Sequence, residues 1–535
     1  MPDRRTILAG GAAVMAAGAG ALALATDADA LPAGTLGGAD AKRGHRLRTG
    51  GFPAPIRTER TRVAIVGGGV AGLSAAWALA DAGVDFILLE LEDRAGGNAR
   101  AGRNSVSAFP LGAHYLPIPN PEAKGVIRLL ERLGIVTGWQ GGKPVFDPYQ
   151  VVADPDERLL HLGRWQDGLV PTLGLTPADR HDLGAFFAAM DAFRRRIGSD
   201  GRPAFALPMA GSSRDADLIA LDGLSFTDWL HAQGWRSPVL HAHVRYSCRD
   251  DYGTEPQHTS AWAGIHYFAG RRGAAANVAG DAVLTWPEGN GHLVGRMAER
   301  LRAHIRPDRL VHRVAREGKG VAIDSASTDG TVTRTLAEVA ILATPRFVTH
   351  HLLGAMKPYH VDYAPWLVAN VTVDRPPAGP GAQLAWDNVS WTSRSLGYVV
   401  ATHQALDAAP GPTVLTWYMP LSDMDPHAAR IELLARPLKH WQRIVRDDLL
   451  ATNPDLHGTI RRIDVWRWGH AMIRPTPGYF FNGAREDAAR PDPPLFFAHS
   501  DLSGLSLFEE AHYRGTRAAE DAMASLHVPY TSTLV

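Results

Sequence analysis

A β-branched apolar run that breaks into three closely spaced glycines constrains this chain more than any other feature. It reads Arg62-Val-Ala-Ile-Val-Gly67-Gly-Gly69-Val-Ala-Gly72, then a helix-like stretch, then Phe86-Ile-Leu-Leu-Glu90. Strand, glycine turn, helix and a second strand ending in an acid make a βαβ unit suited to an ADP moiety. Gly67 permits the tight turn, Gly69 lets backbone approach a pyrophosphate, and Gly72 lets the helix pack close to the strand. The first N–H groups of that helix then point at the phosphates. Glu90 stands where a carboxylate can bond a ribose hydroxyl.

The unit continues as Arg94-Ala-Gly96-Gly97-Asn98. This tail resembles the second half of the FAD fingerprint of the flavin amine oxidase, protoporphyrinogen oxidase and phytoene desaturase superfamily. The resemblance implies noncovalent FAD, with Gly96, Gly97 and Asn98 reaching its flavin side and Arg94 near the pyrophosphate. Leu111-Gly112-Ala113-His114-Tyr115 looks like the family turn that passes close to the flavin, which adds Gly112 and Ala113 to the cofactor set. Farther on come a glycine turn at Gly289–Gly291, a strand with Val311, a hairpin turn at Asp329-Gly330 and a strand ending Ala343-Thr-Pro345. That order is similar to the superfamily's, and by resemblance the Val311 backbone meets the adenine. The closing segment, Leu495-Phe-Phe-Ala-His-Ser-Asp501 and then Phe508-Glu509-Glu510, implies that Asp501 contacts the ribityl or pyrophosphate side.

These segments lay out a mixed α/β chain. A Rossmann-like FAD-binding lobe is assembled from residues 61–149, 284–349 and 465–535, and a substrate lobe with a mixed sheet and helices from residues 150–283 and 350–464. Residues 31–60, rich in Gly, Pro and Arg without periodicity, read as a linker. At 535 residues, two lobes are the expected outcome. Lys+Arg and Asp+Glu are equal at 55 each, which removes any global charge argument for a nucleic-acid partner. The single cysteine, Cys248, excludes an intrachain disulfide and a cysteine-based metal cluster, and no metal site is expected. Past the N-terminus, no apolar run is long enough for a membrane span.

Residues 1–30 read as a targeting segment. Arg4-Arg5 precedes a mildly apolar Ala/Gly-rich stretch, and Ala28-Asp29-Ala30 offers a small-x-small cleavage site. The arginine pair resembles a twin-arginine signal. Passage through the twin-arginine translocase to the periplasm or medium would carry the protein already folded around a cofactor gained in the cytoplasm.

FAD accepts hydride while the protein orients the small-molecule substrate. Oxygen or a quinone is the expected electron acceptor. Many amine oxidases of the superfamily keep a lysine a few residues after the Ala-x-Pro segment. Here His350 and His351 fall at that place, as candidates to position water or a proton at the flavin. Trp468 opens the run before the flavin-facing strand, and Glu509 heads the closing helix, where a carboxylate can also be simple helix N-terminal chemistry. Leu507 stands where monoamine-type oxidases carry a cage aromatic. The expected activity is oxidation of a C–H bond in an amine or amino-acid-like substrate. Desaturation of an apolar or isoprenoid-like substrate is the alternative, and a non-catalytic binding protein on the same fold is a third reading.

Overall fold

The computed structural model describes residues 31–354, 361–405 and 411–534. The targeting segment 1–30 lies outside the described residues. Two sheets organise the chain. The first runs in the order Ile305–Arg306, Phe86–Leu89, Arg57–Val66, Val332–Leu342, Gly320–Ala326, Leu310–Glu317, with Leu495–Phe497 also pairing with Val332–Leu342. Its centre is parallel: Val63–Val66 lie between Phe86–Leu89 and Val339–Leu342. Those strands are buried on both faces and so read as continuous apolar runs rather than alternating ones.

The Ala-rich helix Val70–Asp81 covers this sheet and packs against the C-terminal helix Phe508–Ser525. Alanine favours the helix intrinsically and keeps its faces small enough for close packing. The Asp329–Gly330 turn does join two antiparallel strands, Gly320–Ala326 and Val332–Leu342.

The second sheet has eight strands, ordered Leu36–Gly38, Ile460–Ile473, Tyr363–Val373, Thr413–Pro420, Tyr398–Val400, Asp387–Ser390, Glu157–His161, Arg164–Asp167. Beside it, the helices Pro177–Arg195, Phe226–Ala232, Pro238–Tyr252 and Ala261–Ala269 share an aromatic core that includes Phe186, Phe226, Trp229 and Trp262. Cys248 sits in this core, where burial pushes its thiol up.

Two boundaries differ from the sequence reading. Residues 31–60 are not a featureless linker: Leu36–Gly38 adds a parallel edge strand to Ile460–Ile473, Ala41–Gly44 and Arg46–Thr49 are helical turns, and Arg57 begins a central strand. Edge pairing supplies the order that local periodicity lacks. The strand Ile460–Ile473 belongs to the second sheet, so the closing cofactor segment begins only after it.

Candidate active site

A cavity of about 550 Å³ runs between the two sheets, from the glycine turn at Gly67–Gly69 to an aromatic wall at His114 and Tyr418. Gly67 adopts φ +101, a left-handed conformation that side chains resist. A Cβ on Gly72 would lie 1.9 Å from the Gly67 carbonyl oxygen, so helix and turn approach as the sequence requires. Gly69 begins the helix without a side-chain cap, which leaves first-turn N–H groups directed at the cavity end. The Gly96 N–H donates to the Gly68 carbonyl at 2.8 Å, locking the second glycine pair onto the first.

Glu90 is buried at this end and lines the cavity. Its Oε2 accepts from the Gly68 N–H at 2.7 Å and its Oε1 from the Glu92 N–H at 2.9 Å. Burial raises its pKa, against the pull of those two N–H donors. Val311 lines the same end. Arg94 does not: it is exposed, and its Nη2 donates to the Ala101 carbonyl at 2.8 Å. Gly96 lies behind Gly97 and likewise stays off the cavity wall.

A piece of the expected linker closes this end. Ala39, Asp40, Ala41, His45 and Arg48 line the cavity. Arg43 fixes the segment by donating from Nη1 to the Leu91 carbonyl at 3.0 Å and by pairing with Asp308 at 2.8 Å.

Asp501 is fully buried midway along the cavity. Its Oδ2 accepts from the Arg346 N–H at 2.9 Å and from the Tyr363 hydroxyl, and His499 Nδ1 lies 3.0 Å from Oδ1. Burial opposes ionisation here, but His499, the Tyr363 hydroxyl and the Arg346 N–H outweigh it and hold the carboxyl below its ordinary value.

At the far end, the turn Leu111–Tyr115 is held from both sides. Trp468 Nε1 donates to the Leu111 carbonyl at 2.5 Å, and the Ala113 N–H donates to the Asn98 carbonyl at 3.2 Å. A Cβ on Gly112 would come within 2.3 Å of that same Asn98 oxygen. The Asn98 side chain bonds the Ala471 carbonyl at 2.7 Å. His114 stacks on Tyr418, ring centres 4.4 Å apart, and burial pushes its imidazole down to about 4, so it is neutral at pH 7. His470, stacked on Phe347 at 4.2 Å, is likewise pushed down to about 4 by burial, then by nearby Arg430 and Arg48. Glu509 opens the C-terminal helix, and burial raises it to about 7.

The histidine pair does not project into the body of the cavity. Pro345 starts the helix Arg346–Leu353, which packs on the strand Leu310–Glu317 and on Arg46–Thr49. That helix carries His350 to an exposed position off the cavity and His351 to its edge beside Arg48. Tyr363, Trp366 and Tyr418 from the second sheet line the cavity, Tyr418 stacked on His114 of the turn, as do Asp250 and Arg271. The abundance of aromatics in the expected substrate lobe was the signal for Trp366 and Tyr418. Nothing local marks Asp250.

The arrangement fits FAD. The glycine cradle and Glu90 suit the ADP end, Asp501 and the Arg346 N–H suit its middle, and the Gly112 turn leaves backbone-wide room for a flat ring system. Residues 70–523 match the family described as flavin containing amine oxidoreductase. Pig amine oxidase [flavin-containing] B is 33% identical over 144 residues, which is 26% of this chain and 24% of that protein. The aligned part thus spans about a quarter of that curated relative's length. Among solved structures, a putrescine oxidase double mutant superposes with TM-score 0.65 at 16% identity, over 87% of this chain and 100% of that one. A CLA-producing fatty acid isomerase from P. acnes superposes with TM-score 0.60 at 15% identity, over 88% and 99%.

Proposed function

The chain belongs to the flavin-containing amine oxidoreductase family, with FAD as cofactor, and from that premise we propose that it oxidises an amine at the carbon next to nitrogen. The observation that carries this reading is the single cavity joining the Gly67–Gly72 cradle to the aromatic wall at His114 and Tyr418.

FAD supplies a hydride acceptor. In the reaction the C–H bond next to nitrogen breaks, its two electrons leave with the hydrogen, and nitrogen becomes an iminium that water hydrolyses to a carbonyl and an amine. Oxygen takes the electrons on and becomes hydrogen peroxide; a quinone is the other candidate acceptor. Trp468 and Asn98 fix the Leu111–Tyr115 turn, against which the cofactor ring would lie. The helix that Glu509 opens directs its N-terminal N–H groups toward the cavity, where they stabilise negative charge. Neutral His114 presents an imidazole able to accept a proton beside the Tyr418 hydroxyl. An apolar substrate, the other reading, would have to lie against Asp250, Asp251 and Glu509 on the same cavity wall.

Anaerobic mixing of the FAD-loaded protein with amines, amino acids and polyenes tests the reading. Amines should bleach the flavin, and air should restore the colour with release of peroxide. Bleaching by polyenes alone would replace amine oxidation with desaturation. FAD is held noncovalently in this proposal, so acid precipitation should leave all the colour in the supernatant. We also propose export through the twin-arginine route with cleavage after Ala30. The double variant Arg4→Lys/Arg5→Lys should trap holoprotein in the cytoplasm, and normal export of it would end that proposal.

A further inference from the structure

We propose that Arg48 and Arg430 hold the diphosphate of FAD, the task that the sequence resemblance gave to Arg94. The proposal concerns the cofactor and does not depend on which substrate the protein oxidises.

FAD brings a diphosphate into a cavity whose wall already carries the buried carboxyl groups of Glu90 and Asp501. Asp501 is held below its ordinary pKa and is therefore ionised at neutral pH. Negative charges gathered in a buried site oppose one another. The N-terminal turn of the helix Val70–Asp81 offsets only about half a charge. Cations are required as well, and Arg94 does not line the cavity. Arg309 does, but at the ribose end, where its N–H donates to the Glu90 carbonyl at 2.7 Å.

The place for the diphosphate is beside the glycine turn. A Cβ on Gly67 would lie 2.7 Å from the Ala343 carbonyl oxygen and 3.2 Å from the Thr344 methyl, so the chain that runs on to Phe347 starts next to that turn. The His470 ring stacks on Phe347 at 4.2 Å and stands edge-on to Tyr363 at 5.5 Å. The Tyr363 hydroxyl donates to Asp501, while its carbonyl accepts from Arg430 Nη1 at 2.8 Å. Arg48 reaches the cavity edge from the other side, on the helical turn Arg46–Thr49, which packs on the helix Arg346–Leu353. It lies outside the residues 70–523 that match the family, so the cation it brings belongs to this chain's own N-terminal segment.

Among the described residues neither Arg48 nor Arg430 forms an ion pair. The acids whose field reaches Arg430 are engaged elsewhere. Asp362 faces Arg474 at 3.8 Å, and Asp425 accepts from the His427 and Ala428 N–H groups at the start of its own helix. His470 registers the surplus of positive charge: after burial, Arg430 and then Arg48 push its imidazole down. Guanidinium groups that line one cavity without carboxylate partners call for an anion. Their planar forks match the oxygens of a phosphate.

Full-length apoprotein that regains its flavin spectrum when FAD is added is titrated in a calorimeter with FAD, ADP and adenosine at several KCl concentrations. Arg48→Gln and Arg430→Gln should each weaken FAD and ADP at least ~10-fold, the scale of a charged hydrogen bond. Adenosine, which has no phosphate, should bind as to wild type. The fall of ADP affinity with added salt should be shallower in both variants, because a screened charge pair has been lost. Arg48→Lys, which keeps the charge, should retain the wild-type salt dependence. An equal loss for adenosine and ADP would mean that the arginines only support the fold, and would overturn the proposal. Wild-type ADP affinity in both glutamine variants, or a 10-fold loss in Arg94→Gln, would overturn it too. Holoprotein titrated with inorganic pyrophosphate supplies the last outcome. No binding supports the proposal, whereas binding that Arg48→Gln abolishes would make this wall a separate anion site and overturn it.

Discussion

The Trp468 indole Nε1 donates to the Leu111 carbonyl at 2.5 Å, tying a strand of the second sheet to the turn that carries Gly112 and Ala113. The two lobes are thus joined by a buried polar contact at the point where the cofactor ring and the substrate would meet. Trp468→Phe keeps a large ring there but leaves the Leu111 carbonyl without its donor. The variant should unfold at lower urea, by about 1–3 kcal/mol for an orphaned buried group. It should also shift the flavin absorption band of the holoprotein. Wild-type stability and an unshifted band together would show that this bond positions nothing.

Asp40–Arg48 should slow the loss of FAD. Arg43 anchors this segment to Leu91 and Asp308, next to Glu90 and the strand that carries Val311. Arg43→Ala should speed FAD release from the holoprotein about 5-fold, equivalent to about 1 kcal/mol of lost anchoring. Flavin fluorescence, which rises on release, follows it directly. An unchanged rate would make the segment a bystander.

What the sequence made legible here was local. Gly67, Gly69, Gly72 and Glu90 sit within one βαβ unit, and each carries its own physical requirement in its residue type. Gly112, Ala113, Val311 and Asp501 could be placed only because the order of segments resembled a family. Residues 31–60 misled because a short edge strand needs only a partner, and that partner, Ile460–Ile473, is far along the chain. His350 and His351 misled because counting along the chain ignores a helix that begins at Pro345. Asp250 was invisible for a related reason: it comes from the helix Pro238–Tyr252, and only the fold brings it to the cavity wall.

Glu509 should give the holoprotein a measurable pH signature. Burial raises its folded-state pKa to about 7, above the ordinary 4.5 of the unfolded chain. Between those values the folded state binds more protons, so this group costs stability increasingly as pH rises from 4.5 to 7 and by a constant amount above. His114 and His512, which burial pushes down to about 4, work in the opposite sense over part of that range. The difference between Glu509→Gln and wild type isolates the carboxyl. The variant should gain stability relative to wild type as pH is raised from 4.5 to 7, read as the difference in urea midpoint. A difference that stays flat would mean the carboxyl is not buried as the structure has it.

Glu90 and Arg94 give the sharpest contrast, because the sequence assigned both to the cofactor and the structure separates them. Glu90 is buried in the cavity wall and holds the Gly68 and Glu92 N–H groups, while its remaining lone pairs face the ADP end. Arg94 is exposed, and its Nη2 bonds the Ala101 carbonyl. Glu90→Ala should weaken FAD binding to the apoprotein by roughly 1–3 kcal/mol. Arg94→Ala should change it by less than about 0.5 kcal/mol, as for an ordinary surface substitution. FMN, which lacks the adenosine, separates two origins of the Glu90 effect. If the carboxylate serves the ribose, the variant loses affinity for FAD and little for FMN. An equal loss for both would locate the effect in the glycine turn that Glu90 braces. A large loss in Arg94→Ala would return that arginine to the pyrophosphate and contradict its placement here.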